Sequence, residues 1–188
     1  MKTIITLLLI IIQSVTSAQQ NSDTVPIIRL PLIKQTTLTT INSKPQFSTT
    51  KWKKIEEKNW LNYFAIENNK LWTGQQVTDA RVLGYWGLGE ASIAYVYVVD
   101  VLQNDAKTMP SVFISSYNAT TQRKGVDINP FEQAPAPTGM KGKVTITKSI
   151  TINEFGGCTA KATYKTATKT LSKVQEFSIN EDGSVHRP

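Results

Sequence analysis

Two carboxylates bracket the most apolar internal run of the chain. Glu90 and Asp100 stand at either side of ASIAYVYVV, inside LGYWGLGEASIAYVYVVDV (83–101). A pair of carboxyl groups can cleave a glycosidic bond when a fixed separation makes one the acid and the other the base or nucleophile. Spacing along one strand does not set that separation, and the plain role of both residues is to end a buried run. A Glu90/Asp100 hydrolase is therefore the least unfavourable enzymatic reading of a chain that reads as non-enzymatic.

The other reactive groups are sparse. The single cysteine, Cys158, opens an inward-facing series after two glycines, where a free thiol packs as a small apolar residue. The single histidine, His186, lies two residues from the end, on a tail expected to fray. No HExxH or CxxC spacing occurs, so neither a metal nor a cofactor is expected. Ser115 and Ser116 lack the GxSxG context of an activated serine. Glycines 84, 87 and 89 are spaced GxxGxG, and Glu90 follows where a phosphate loop would carry lysine. Their expected role is mechanical: a bend in a strand, or the close approach of another backbone.

The aromatic residues offer a different chemistry. Tryptophan and tyrosine can present a rigid face to a sugar ring or a base. Trp86, with Tyr85 beside it and glycines 84 and 87 around it, is the candidate for exposure, and Trp72 sits just after the turn ENNK (67–70). Tyr85, Trp86 and Trp72 are accordingly the candidate ligand-binding residues. The remaining tryptophans, Trp52 and Trp60, fall in TKWKKIEEKNWLNYF (50–64).

Those side chains need strands to hold them. From Ala91 to Leu102 both alternating faces are apolar, which places this strand in the centre of a sheet covered on both sides. KVTITKSITI (143–152) puts Val144, Ile146, Ile150 and Ile152 on one face, with Lys148 among them, and CTAKATYKT (158–166) alternates again. NEFGG (153–157) joins them as a turn, and the outer face of this hairpin is lysine and threonine. TLSKVQEFSI (170–179) reads as a strand with a bulge, because Val174 breaks the phase of Leu171, Phe177 and Ile179. Residues 51–58 read as one short helix, followed by a strand over 60–66 and a returning strand in LWTGQQV (71–77). Seven or so short strands with turns between them predict an all-β domain, mainly antiparallel, as a sandwich or barrel.

The N-terminus carries an address. Lys2, the apolar run Ile4–Ile12 and small residues at Thr16 and Ala18 have the layout of a secretory signal peptide, residues 1–18, cut after Ala18. The run is shorter than the about 20 residues that cross a bilayer. The expected location is secreted or periplasmic, with no transmembrane segment in the mature chain. Residues 19–50, with Pro26, Pro31, Pro45 and the patch QTTLTTINS (35–43), read as an extended arm or linker before a single β domain over 51–188. One cysteine permits no internal disulfide, so burial must hold the domain. The net charge is +7, which favours anionic partners.

The expected function is a secreted or periplasmic binding module that presents a β surface to a polysaccharide, a cell-envelope component or a protein. No specific nucleic-acid motif is present. One alternative is a lipocalin-like barrel carrying a small apolar ligand, which demands a hollow of several hundred Å³. Another is a subunit of an extracellular assembly.

Overall fold

A computed structural model describes residues 30–64, 66, 67, 70, 71, 75–102, 108–134 and 142–188. Residues 1–18, read above as a signal peptide, together with Trp72 and the start of the arm, lie outside the described residues. Among the described residues the fold is all-β and mainly antiparallel, with two sheets and a small hairpin, and no helix is long and apolar enough to cross a membrane.

The strands are β1 (Thr36–Ile41), β2 (Lys44–Pro45), β3 (Lys53–Lys54), β4 (Ile66–Glu67), β5 (Lys70–Leu71), β6 (Val77–Gly87) and β7 (Ser92–Leu102). They continue with β8 (Thr108–Asn118), β9 (Arg123–Lys124), β10 (Thr145–Ile152), β11 (Cys158–Lys165), β12 (Thr170–Ile179) and β13 (Val185–His186). One sheet has the order β3-β6-β7-β8-β9, the other β13-β12-β11-β10-β1-β2, and β4 pairs with β5 alone.

β7 is the central strand of the five-stranded sheet, as its two apolar faces require. Residues 94–99 are all buried. Ala94, Val96 and Val98 face the second sheet, where they meet Ile150, Ile152, Ala160 and Phe177. Tyr95, Tyr97 and Val99 face the other way, under Trp60, Tyr63 and Phe64. Each fully buried side chain of this size stabilises the fold by about 1.5–3 kcal/mol.

The cover on that second face corrects the reading of 51–66. Lys53–Lys54 is a strand paired with Arg81 and Val82, Glu57–Asn59 is a 3-10 turn, and the only α-helical turn among the described residues, α1, is Trp60–Tyr63. Trp60, Tyr63 and Phe64 have i, i+3, i+4 spacing, so one helical turn aims all three at the sheet. The Trp60 indole N–H donates to the Ile55 carbonyl at 3.0 Å, and the Tyr95 hydroxyl donates to the Tyr63 carbonyl.

β6 is the strand the glycines shape. Its pairing with β7 shifts register between Val77 and Asp79 and again between Val82 and Gly84. Each shift is a bulge that flips the side-chain phase. Val77, Ala80, Val82 and Tyr85 therefore share one face, although the parity of their numbers changes at each bulge, and Trp86 turns to the other. Beyond the second bulge another backbone comes close. Tyr85 N–H donates to the Pro31 carbonyl (3.0 Å) and Ile33 N–H to the Tyr85 carbonyl (2.8 Å). A Cβ on Gly84 would stand 2.5 Å from the Pro31 oxygen, so only glycine admits this contact.

Much of the region read as an arm or linker is built into the sheets. β1 pairs along its whole length with β10, from Thr36 opposite Ile152 to Ile41 opposite Thr147. Threonine is β-branched and suits a strand, and Leu38 supplies the buried anchor. Asn42 and Ser43 both take positive φ, which makes the two-residue turn into β2. The bulge expected in β12 is absent: β11 and β12 pair without a register shift, and Val174 is 55% exposed on the outer face.

Candidate functional site

The two sheets lie face to face, and their ends are defined by contacts between them. At one end, the turn end, the β10–β11 and β12–β13 turns meet the five-stranded sheet. Gly156 packs on the Trp86 indole, and Ser92 Oγ donates to Glu181 Oε2 at 3.3 Å. At the opposite end, the slot end, Lys148 Nζ donates to the Phe131 carbonyl at 3.0 Å, close to the start of β8.

The outer face of the six-stranded sheet has no further layer packed on it among the described residues. Its rows run across the strands. Thr37, Thr151, Thr159 and Glu176 form one; Thr39, Ser149, Lys161 and Val174 the next; Ile41, Thr147, Thr163 and Ser172 the third. Hydroxyls bond across strands, Thr37 with Thr151 at 3.0 Å and Thr163 with Ser172 at 2.9 Å. Lys161 and Lys165 are exposed, and among the described residues neither has a carboxylate within ion-pair distance. Alternation predicted this lysine and threonine face, and β11 carries it.

A polar groove of about 320 Å³ indents this face at the turn end. Thr159, Glu176, Ser178 and His186 line it together with Asn153. Pairing places Thr159 opposite Glu176 and Ser178 opposite His186. The chain end is thus held in place: β13 pairs with β12, and Arg187 donates to Gln133 Oε1 at 2.7 Å. His186 is a fixed strand residue instead of a frayed one. Cys158 also borders the groove, but its side chain is buried, its thiol donates to the Gly156 carbonyl, and burial pushes its pKa up to about 12. It is a packed thiol, not a nucleophile.

Trp86 is corrected by the fold. It is 1% exposed, inside the inter-sheet core, because the bulge before Gly84 turns it inward and Gly156 lies on its ring. Tyr85 is half-buried against the opposite core, so the two neighbours do not form a common surface. The aromatic residue that does stand in solvent is Phe155, 85% exposed. Its turn is firmly held. Asn153 Oδ1 accepts from Phe155 N–H and Gly157 N–H, each at 2.9 Å, and Gly156 takes φ +81°. The available signal was its setting: an aromatic in a glycine turn has no strand pattern to bury it.

Glu90 and Asp100 are not brought together. Glu90 lies in the β6–β7 turn, and Asp100 lies near the far end of β7. Eight residues of strand separate that turn from Asp100, about 27 Å, against the ~5–9.5 Å that glycosidases use. Asp100 instead stands opposite Asp79, whose carboxylate binds Arg81 at 2.8 Å. Burial, and then the Asp79 charge, raise the Asp100 pKa, while Arg81 opposes them. One further ion pair went unread in the sequence: Lys124 and Asp127, 3.4 Å apart and largely buried. Burial lowers the Lys124 pKa and the Asp127 carboxylate opposes that shift. The pair stands at the β8–β9 edge and reads as part of the scaffold.

Among the described residues no group of histidine, cysteine and carboxylates could hold a metal ion. No family model, no curated protein and no solved structure matches the chain.

Proposed function

We propose that the chain is a non-enzymatic binding module, working outside the cytoplasm, whose recognition surface is the outer face of the six-stranded sheet. The ligand class that fits is a polysaccharide carrying anionic groups. The observation that carries the reading is the contrast in cover: this face is open, hydroxyl-lined and basic, while both faces of the neighbouring sheet are packed. Threonine and serine hydroxyls donate to and accept from sugar hydroxyls. Lys161 and Lys165, without ion-pair partners among the described residues, supply charge to acidic groups. The groove with Glu176, Ser178 and His186 adds polar contacts at one end.

The carrier alternative has less support. The inter-sheet core is filled by Trp86, Ile150, Ile152 and Phe177, and the groove at the turn end opens at the surface.

The test is affinity electrophoresis in gels holding an acidic or a neutral polysaccharide, at low and physiological salt. Retardation by the acidic polymer, weakened by salt and abolished in Lys161→Glu/Lys165→Glu, is the expected result. Equal migration of wild type and double variant through the acidic polymer would overturn the reading.

A further inference from the structure

Phe155 and the slot end carry an inference independent of the sugar-binding face. The slot, about 190 Å³, has a mixed lining: Pro45, Phe47, Met109 and Phe131 supply apolar surface, and Ser111, Glu132 and Lys148 supply polar groups. It is smaller than the ~300 Å³ at which drug-sized ligand pockets begin, and of a size for one side chain. Met109 is 37% exposed at its mouth. Phe155 lies beyond the other end of β10, whose eight residues span about 27 Å.

Carboxylates gather at one end and lysines at the other, with the exposed Arg123 of β9 also standing at the turn end. The turns around Phe155 carry Glu154, Glu181, Asp182 and Glu90, all exposed. Two hydrogen bonds from Ser184 hold the Asp182 carboxyl below its ordinary pKa. The slot end carries Lys44, Lys143 and Lys169, also exposed. Glu132, the carboxylate at the slot, accepts from Asn129 Nδ2 at 3.2 Å.

We propose that the chain associates head to tail with a second copy of itself, Phe155 of one copy entering the slot between Phe47, Met109 and Phe131 of the next. Charge supports that occupant: Glu154, adjacent to the inserted ring, arrives among the lysines of the slot end. A rigid turn loses little conformational freedom on docking, which makes a preorganised aromatic an effective anchor. Plug and slot are different surfaces, so the contact is heterologous and propagates into rings or filaments. Each added copy would repeat the threonine–lysine face, multiplying weak contacts to a polymer.

The experiment is sedimentation velocity over a concentration series. It compares the full chain with Phe155→Ser and Met109→Glu, all with the same N-terminus, and with an equimolar mixture of the two variants. Wild type should grow past twice the chain mass. Each variant alone should stay monomeric, one lacking the plug and the other the slot. Their mixture should form pairs and stop at two copies, because only one productive contact remains. Circular dichroism and melting check that Met109→Glu is folded, and Pro45→Glu closes the slot from its other wall if it is not. A wild type that stays monomeric, a Phe155→Ser that still assembles, or a mixture that fails to pair overturns the proposal. Loss of vesicle or glycan binding in Phe155→Ser at unchanged mass also overturns it and gives the ring to another occupant.

Discussion

The two sheets solve burial in opposite ways. In the five-stranded sheet, β7 has apolar residues on both faces and is covered on both, by the second sheet and by the turn of helix over Tyr95 and Tyr97. In the six-stranded sheet, β11 alternates Cys158, Ala160, Ala162 and Tyr164 with Thr159, Lys161, Thr163 and Lys165, and only the first set is covered. One sheet is covered on both faces. The other leaves one face open.

This contrast can be broken by experiment, and Cys158 offers the largest effect. Its raised pKa of about 12 lowers the thiolate fraction of the native state about a thousandfold relative to an ordinary thiol. A thiol reagent at pH 8 should label native Cys158 only as fast as the protein opens. A cysteine placed at Thr159, on the outer face of the same strand, should react at an ordinary rate. Equal labelling would mean that the two faces are not distinct.

Stability gives the next test. Tyr97→Ala, under the Phe64 ring, should cost about 3–5 kcal/mol, as large aromatic truncations do. Thr163→Ala on the open face should stay within about 0.5 kcal/mol. Denaturant midpoints measure both, and similar losses would erase the distinction. Gly84→Val forces the Pro31 backbone away from β6 and should cost about 1–3 kcal/mol. The amides of Ile33 and Tyr85 should then exchange faster with solvent, while that of Val96 stays protected.

The smallest effect is at Asp100. Its folded pKa lies above the unfolded one, so ionisation is penalised in the folded state. Stability should therefore rise as pH falls through the raised value and level off below the ordinary aspartate range. Asp100→Asn should be more stable than wild type at pH 7, with the gain vanishing in acid. Thermal melts at pH 3, 5 and 7 read this directly, and a variant less stable at pH 7 would show that Arg81 outweighs burial.

Legibility followed local pattern. The interior position of β7 was readable because tyrosine, valine and isoleucine fill both of its faces. The β10–β11 hairpin was readable because period-two alternation and a glycine turn coincide. β1 was missed because a threonine run with prolines before and after it resembles a linker, although threonine also favours strands. Trp60, Tyr63 and Phe64 read as strand residues because aromatics favour strands, and their helical spacing covers a single turn. Trp86 reads as exposed because its glycine neighbours offer no cover, whereas the bulge at Gly84 turns it into the inter-sheet core and a distant turn, at Gly156, covers its ring. The missing bulge in β12 has a related cause: an apolar residue out of phase can be an exposed valine as readily as a register shift.

What the chain determines without a structure is the alternation of its side chains, and with it the all-β class, the doubly buried strand and the lysine–threonine face. These follow from a period of two residues, a property of neighbours along the backbone. What the tertiary structure decided is which distant groups share a place. Glu90 and Asp100 stand at opposite ends of a strand, Trp86 lies inside, Phe155 lies outside, and β1 closes onto β10 with Thr36 against Ile152. The physical reason is that these outcomes depend on which faces remain for others to cover once the strands have paired, a choice made by burial over the whole molecule and not by any local segment.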